Sequence, residues 1–194
     1  PLPMLMQEGL TDAEWGGAVD RAKCKKTPGK DGTRNEHLKT LDRDNRGRVF
    51  EAWNEVYESE VNPTCWRRRV VTFLDKASTE DTRELGEKRG VSLLSAPAKV
   101  FRGALAQRVW PVLRAGLERT QALKYPEEGC VHNVLTLTQK IGERMEAGKP
   151  TYVMLADLRK AFDTANRRLV WVRLRQLGVA GKLFAALQRG YVKG

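Results

Sequence analysis

Apolar positions along this chain change period several times, and each change marks an element. Thr11-Asp12-Ala13-Glu14 has the form of a capping box, which predicts a helix through about Lys23. Turn signals follow at Pro28-Gly29 and Asp31-Gly32, then a helix over Asn35–Leu41 and another from about Arg46 to Glu60. In the latter, Val49, Phe50, Trp53, Val56 and Tyr57 recur at helical spacing and read as core. Near Val70 the period shortens. Val70–Leu74 and "RGVSLLS" read as two strands of a hairpin with basic residues at its mouth. Ser95 and Pro97 start a long helix through about Gly116, which Pro111 is expected to kink or split. A helix from about Val131 to Ala147 ends at Gly148 and Pro150. Thr151–Ala156 is a continuous apolar run of strand length, expected to be central and buried. Helices over Arg167–Leu177 and Gly181–Val192 complete an α+β order.

Length and composition narrow the class. The 194 residues, 41% apolar and 30% charged, suit a globular domain with a sizeable core. No stretch approaches the roughly 18 apolar residues of a membrane span, and "PLPMLMQEG" is too short and uncharged for a signal peptide. Position 1 is not Met, so the sequence reads as a processed product or a part of something longer. Cys24, Cys65 and Cys130 are odd in number and far apart, which supports neither a zinc site nor a disulfide framework and implies a reducing intracellular compartment. His37 and His132 are isolated.

Charge adds a candidate chemistry. The net charge is +11, and it comes in blocks. Residues 21–48 carry ten basic and four acidic side chains, whereas 43–61 hold Glu51, Glu55, Glu58 and Glu60. Such blocks fit a surface for a polyanion, most naturally the phosphate backbone of nucleic acid, and equally a solvated basic surface. The basic candidates are Lys25, Lys26, Lys30 and Arg34 around the turns, with Arg67, Arg68 and Arg69 before the hairpin.

One acidic residue stands out against this background. Asp157 ends the apolar run of "YVMLADLRKAFDTANRRL". A carboxylate at the end of a buried strand suits Mg²⁺, which takes few protein oxygens and shares the rest with phosphate and water. The same placement suits a cap of the turn that follows.

"ADLRKAFDTANRRLVW" resembles the first palm motif of reverse transcriptases, above all those of non-LTR (LINE-type) retrotransposons. Upstream, "KTPGKDGTRNEHLK" is similar to their Pro-Gly-x-Asp-Gly segment. "WRRRVVTFLDK…EKRGVSLLSAPAKVF" resembles the fingers hairpin and the helix after it. The resemblance implies an α+β fold of fingers hairpin, helices and part of a right-hand polymerase palm. It divides the chain into an N-terminal helical segment (1–62), a fingers-like region (63–150) and a partial palm (151–194).

By that resemblance Asp157 is the first metal-binding, catalytic aspartate, with the Leu158 carbonyl as a second contact. Phe162 is the steric gate under the incoming sugar, and Asp163 is a helix cap. Lys76 and Arg89 contact the incoming triphosphate, or are simply exposed hairpin charges. Gln121 lies on the link into the palm and joins the basic residues as a nucleic-acid contact. Implied ligands are Mg²⁺, if the remaining palm is supplied, and RNA or an RNA–DNA duplex. A protein partner or further palm segment is expected to cover the open sheet edge. The compartment would be nucleus or mitochondrion, and no membrane is involved.

Two departures limit the activity expected. The family's paired carboxylates arrive in a later Tyr/Phe-x-Asp-Asp hairpin, but no Asp-Asp pair occurs here and no acidic residue follows Asp163. Glu127-Glu128 also replaces the basic turn that the family places after its glutamine. The 194 residues are therefore expected to be catalytically inactive and to serve as a domesticated RNA-binding subunit of a ribonucleoprotein or organellar assembly. The alternatives are a fragment of an active RNA-directed DNA polymerase and a scaffold that binds only protein.

Overall fold

The computed structural model describes residues 6–59, 61–75, 88–118, 121, 129–158 and 161–190, with backbone alone for 129, 130, 162 and 163. Its order is α1 (Asp12–Arg21), α2 (Asn35–Lys39), α3 (Arg43–Ser59), α4 (Thr64–Arg67), β1 (Val70–Asp75), β2 (Lys88–Leu93), α5 (Ala96–Gly116), α6 (Gly129–Glu146), α7 (Ala161–Thr164), α8 (Arg167–Gln176) and α9 (Gly181–Arg189). This is a mixed helical chain with one small antiparallel sheet, compatible with an α+β fragment. None of the described helices is long and apolar enough to cross a membrane. The chain forms two compact units, one of residues 1–110 and 179–194 and one of residues 111–178.

The first unit is organised by aromatic side chains. The predicted capping box starts α1: Thr11 Oγ1 accepts the Glu14 N–H at 3.3 Å, and Glu14 Oε2 accepts the Thr11 N–H at 2.8 Å. One turn on, Trp15 is fully buried. On α3, Phe50, Trp53 and Tyr57 share the inward face expected from their spacing, with Val49 and Val56 half-buried beside them. A row of rings crosses four elements. Phe50 meets Trp53 at 5.8 Å, Trp53 meets Trp15 at 5.1 Å, Trp15 stacks on Phe101 at 5.5 Å, and Phe101 meets Trp66 at 5.0 Å. Pairs in this range add about 0.5–1.5 kcal/mol each beyond the area they bury.

Polar groups then fix the segment before α1. Asn54 Oδ1 accepts the Leu10 N–H at 2.9 Å and Trp15 Nε1–H at 3.2 Å, while its Nδ2 donates to the Leu10 carbonyl at 2.8 Å. Arg108 donates to Glu14, and to the carbonyls of Glu8 at 2.7 Å and Gly9 at 3.0 Å. The Met6 carbonyl accepts both the Tyr57 hydroxyl and the Leu183 N–H, each at 3.1 Å. Through Met6 the start of the described chain is joined to α9, whose Leu183, Phe184 and Ala186 are buried.

β1 and β2 pair from Val70↔Leu93 to Asp75↔Lys88, as the sequence predicts. Val70, Thr72, Leu74, Arg89, Val91 and Leu93 share one face by alternation. All of β1 is solvent-exposed.

Two expectations change. α5 stays helical through Pro111, although the Gln107 carbonyl loses its helical partner because proline has no N–H. The division between the compact units falls at this point, between Trp110 and Pro111. The second change is larger. Residues 151–158 form no strand, and Tyr152, Met154 and Leu155 are 92%, 90% and 87% exposed. A strand needs a neighbouring ladder for its N–H and C=O groups, and among the described residues the sheet is two-stranded and lies elsewhere in the chain.

The rest of the second unit follows its caps. α6 closes on Gly148 at φ +65°, where Arg144 donates to the Pro150 carbonyl at 2.7 Å. Asn166 Oδ1 caps α8 by accepting the N–H groups of Arg168 and Leu169 at 3.0 and 3.4 Å. α8 ends at Gly178, φ +92°.

Candidate nucleic-acid interface

The basic candidates of the first unit sit on a loop with fixed anchors. Lys23, Lys25, Lys26, Lys30 and Arg34 are all exposed in the connection from α1 to α2. Lys25 is left-handed at φ +56°, a conformation unusual for a side chain of this size. Its N–H donates to the Glu36 carboxylate. That bond, first among several causes, holds the Glu36 carboxyl below its ordinary range. Asn35 Nδ2 donates to the Lys23 carbonyl at 2.8 Å, and Lys39 Nζ to the Asp20 carbonyl at 2.8 Å. The short helix α2 thus holds the loop while its lysines face solvent. Sequence reading missed Glu36, whose backbone partner at Lys25 lies 11 residues upstream.

The same loop reaches the base of the hairpin. Gly29 is buried against the end of β2, and a Cβ there would come within 2.5 Å of Ser95 N and 2.6 Å of the Leu94 carbonyl carbon. The turn closes with the Gly32 N–H on the Gly29 carbonyl at 3.1 Å. Beside this contact, Leu93 pairs with Val70, which Arg67, Arg68 and Arg69 immediately precede, all exposed. Backbone pairing therefore brings the Lys30 turn and the Arg67–Arg69 run to one end of the hairpin. Arg89 lies near the other end, opposite Leu74 and next to the Lys88–Asp75 ion pair at 3.1 Å. Opposing charges at that rim contribute little to stability.

Asp157 and Leu158 are exposed on irregular backbone in the second unit, and Gln121 is exposed with its N–H on the Glu118 carbonyl at 3.1 Å. Lys76 and the side chains of Phe162 and Asp163 lie outside the described residues. Among the described residues no three His, Cys, Asp or Glu side chains gather where they could hold a metal ion. Mg²⁺ requires near-octahedral oxygens on a rigid frame. One exposed carboxylate on irregular backbone does not by itself meet that requirement.

No family model matches the chain. Over 119 residues, 60% of its length, it is 31% identical to the Retrovirus-related Pol polyprotein from type-1 retrotransposable element R2 of Popillia japonica. The matched portion spans only 16% of that polyprotein. The similarity points to a retrotransposon-related origin for this chain.

Proposed function

We propose that these residues form the RNA-binding fingers and partial palm of a retrotransposon-derived reverse transcriptase, and that they are catalytically incomplete on their own. The observation carrying this reading is the exposed basic loop, pinned by α2 and seated at the hairpin base beside Arg67–Arg69. A charged loop with fixed anchors spends little entropy on ordering when a phosphate backbone docks. The test is fluorescence anisotropy with single-stranded RNA over a salt series. Log affinity should fall linearly with log salt, and replacing both Lys25 and Lys26 by Gln should reduce the slope by about 1.4, at about 0.7 per phosphate contact on a single strand. Affinity that is flat across the salt series would overturn the proposal.

A second reading is supported by "ADLRKAFD" and by the similarity to a Pol polyprotein. It makes this chain part of an active RNA-directed DNA polymerase whose other carboxylates come from further residues. Mg²⁺-dependent primer extension separates the two. The proposal expects no incorporation by these 194 residues, and robust extension would favour the second reading.

A further inference from the structure

The hairpin has a free edge whose residues mirror one another. β1 pairs with β2 on one side, and among the described residues no strand pairs with its other side. Edges of this kind are normally blunted by a proline, a bulge or a charge in mid-strand. β1 has none of these. Its register with β2 is unbroken, and Val70–Leu74 contains neither proline nor charge. Both faces of the hairpin also expose apolar side chains, Val70, Leu74 and Val91 on one and Val71 and Phe73 on the other. Phe73 stands opposite Gly90, which has no side chain to cover its ring. A lone two-stranded ribbon is marginal in water, and further strands sharing an apolar face make it stable.

From Arg69 to Asp75 the chain reads "RVVTFLD": a cation, two apolar residues, a threonine, two apolar residues and an anion. Laid antiparallel against a second copy with Thr72 opposite Thr72, this stretch is its own complement. Arg69 falls opposite Asp75, Val70 opposite Leu74, and Val71 opposite Phe73. Opposed residues of an antiparallel pair share a face, so Phe73 gains a β-branched neighbour in place of the side chain that Gly90 lacks. Arg69 is exposed and forms no ion pair among the described residues. Asp75 meets Lys88 through Oδ1, and its carboxylate has a second oxygen to accept from a guanidinium. Sliding the copies by two residues would put Asp75 opposite Val71 or Arg67, and Arg67 belongs to α4. We infer that β1 is a dimerisation edge. It joins two copies of this chain in a four-stranded sheet, ordered β2-β1-β1-β2, about a two-fold axis at Thr72. Such a contact uses the same patch twice and stops at two copies. The inference is independent of the RNA-binding reading, since Arg67 and Arg68 lie outside the paired stretch.

Sedimentation equilibrium of the 194-residue chain tests it. The apparent mass should rise from one chain to two with concentration. Arg69→Glu should weaken the dimer about tenfold, because it sets two like-charge pairs across the axis. Adding Asp75→Lys and Lys88→Glu to that variant reverses every sign, within the hairpin and across the axis, and should restore the dimer. Cysteine substitution reads the register. With Cys24, Cys65 and Cys130 replaced by Ser, Thr72→Cys should form an intermolecular disulfide, because directly opposed residues hold their Cα atoms about 4.5–5.5 Å apart. Val70→Cys, which faces Leu74 of the second copy, should cross-link far more slowly. A chain that stays monomeric over the whole concentration range overturns the inference, as does a dimer that Arg69→Glu leaves intact. Equal cross-linking at positions 70 and 72 overturns it too, by removing the register on which it rests.

Discussion

Both compact units carry apolar side chains on their helices, and they use them in opposite ways. In the first unit these residues face one another across α1, α3, α4, α5 and α9, and the row from Phe50 to Trp66 is buried throughout. In the second, Val112 is the one buried side chain among the described residues. On α6, Val131, Val134, Leu135 and Met145 fall on one stripe at helical spacing and are all exposed; on α8, Leu169, Val170 and Val172 are exposed too. An apolar stripe becomes core only when a second layer covers it. Exposed apolar stripes of this kind are what a further polypeptide layer would bury, and the proposed function expects such a layer.

This contrast can be broken at its strongest point by Trp15→Ala. That change removes a ring touching both Trp53 and Phe101, and should cost about 3–5 kcal/mol in denaturant unfolding. A cost below 1 kcal/mol would mean that the first unit is not the stable half.

Next in size is the Glu14–Arg108 clasp. Burial alone would raise the Glu14 pKa, but hydrogen bonds from Arg108 and Thr11 and the Arg108 charge outweigh it, leaving the carboxyl below its ordinary 4.5. A carboxyl depressed in the folded state stabilises the fold above its unfolded value and loses that effect as pH falls through the folded value. Glu14→Gln should therefore cost about 2–3 kcal/mol at neutral pH, where it takes the opposing charge away from the nearly buried Arg108. The cost should shrink steadily in thermal melts below about pH 4.5. A cost independent of pH would remove the charge from the account.

The smallest effect sharpens the other side. Leu155→Ser should change stability by less than about 0.5 kcal/mol, as at an ordinary surface position. A loss above 1 kcal/mol would mean that the segment is packed as a strand after all.

How much the sequence disclosed follows the range of the interactions involved. The start of α1 was legible because Thr11 and Glu14 satisfy each other within one turn. The α3 stripe and the hairpin were legible because their periods are local. Helix α4 went unread: four residues carry no period, and Trp66 is fixed by Phe101, 35 positions away. Arg108 carried no signal in the sequence because its partners lie 94 to 100 residues upstream. Asp157 is the reverse case. Its motif is plain in the sequence, yet the apolar run before it has no partner strand among the described residues. The basic loop was legible as charge, but its anchors were not, since Glu36 reaches back 11 residues to a backbone N–H.

The joint at Met6 also governs the order of assembly. The first unit is discontinuous, with residues 111–178, which begin inside α5 at Pro111, inserted before the stretch containing α9. The ends of that insertion meet, since Gly116 packs so closely on Leu177 that a Cβ there would run into its side chain. A ribosome making this chain must deliver the whole insertion before Leu183 can bond the Met6 carbonyl. The nascent protein therefore passes through a stage in which its aromatic row is complete but unsealed. Each doubling of the insertion's length would add only about 0.6 kcal/mol to the closure. The joint can thus tolerate growth of the inserted unit far more readily than loss of the last helix.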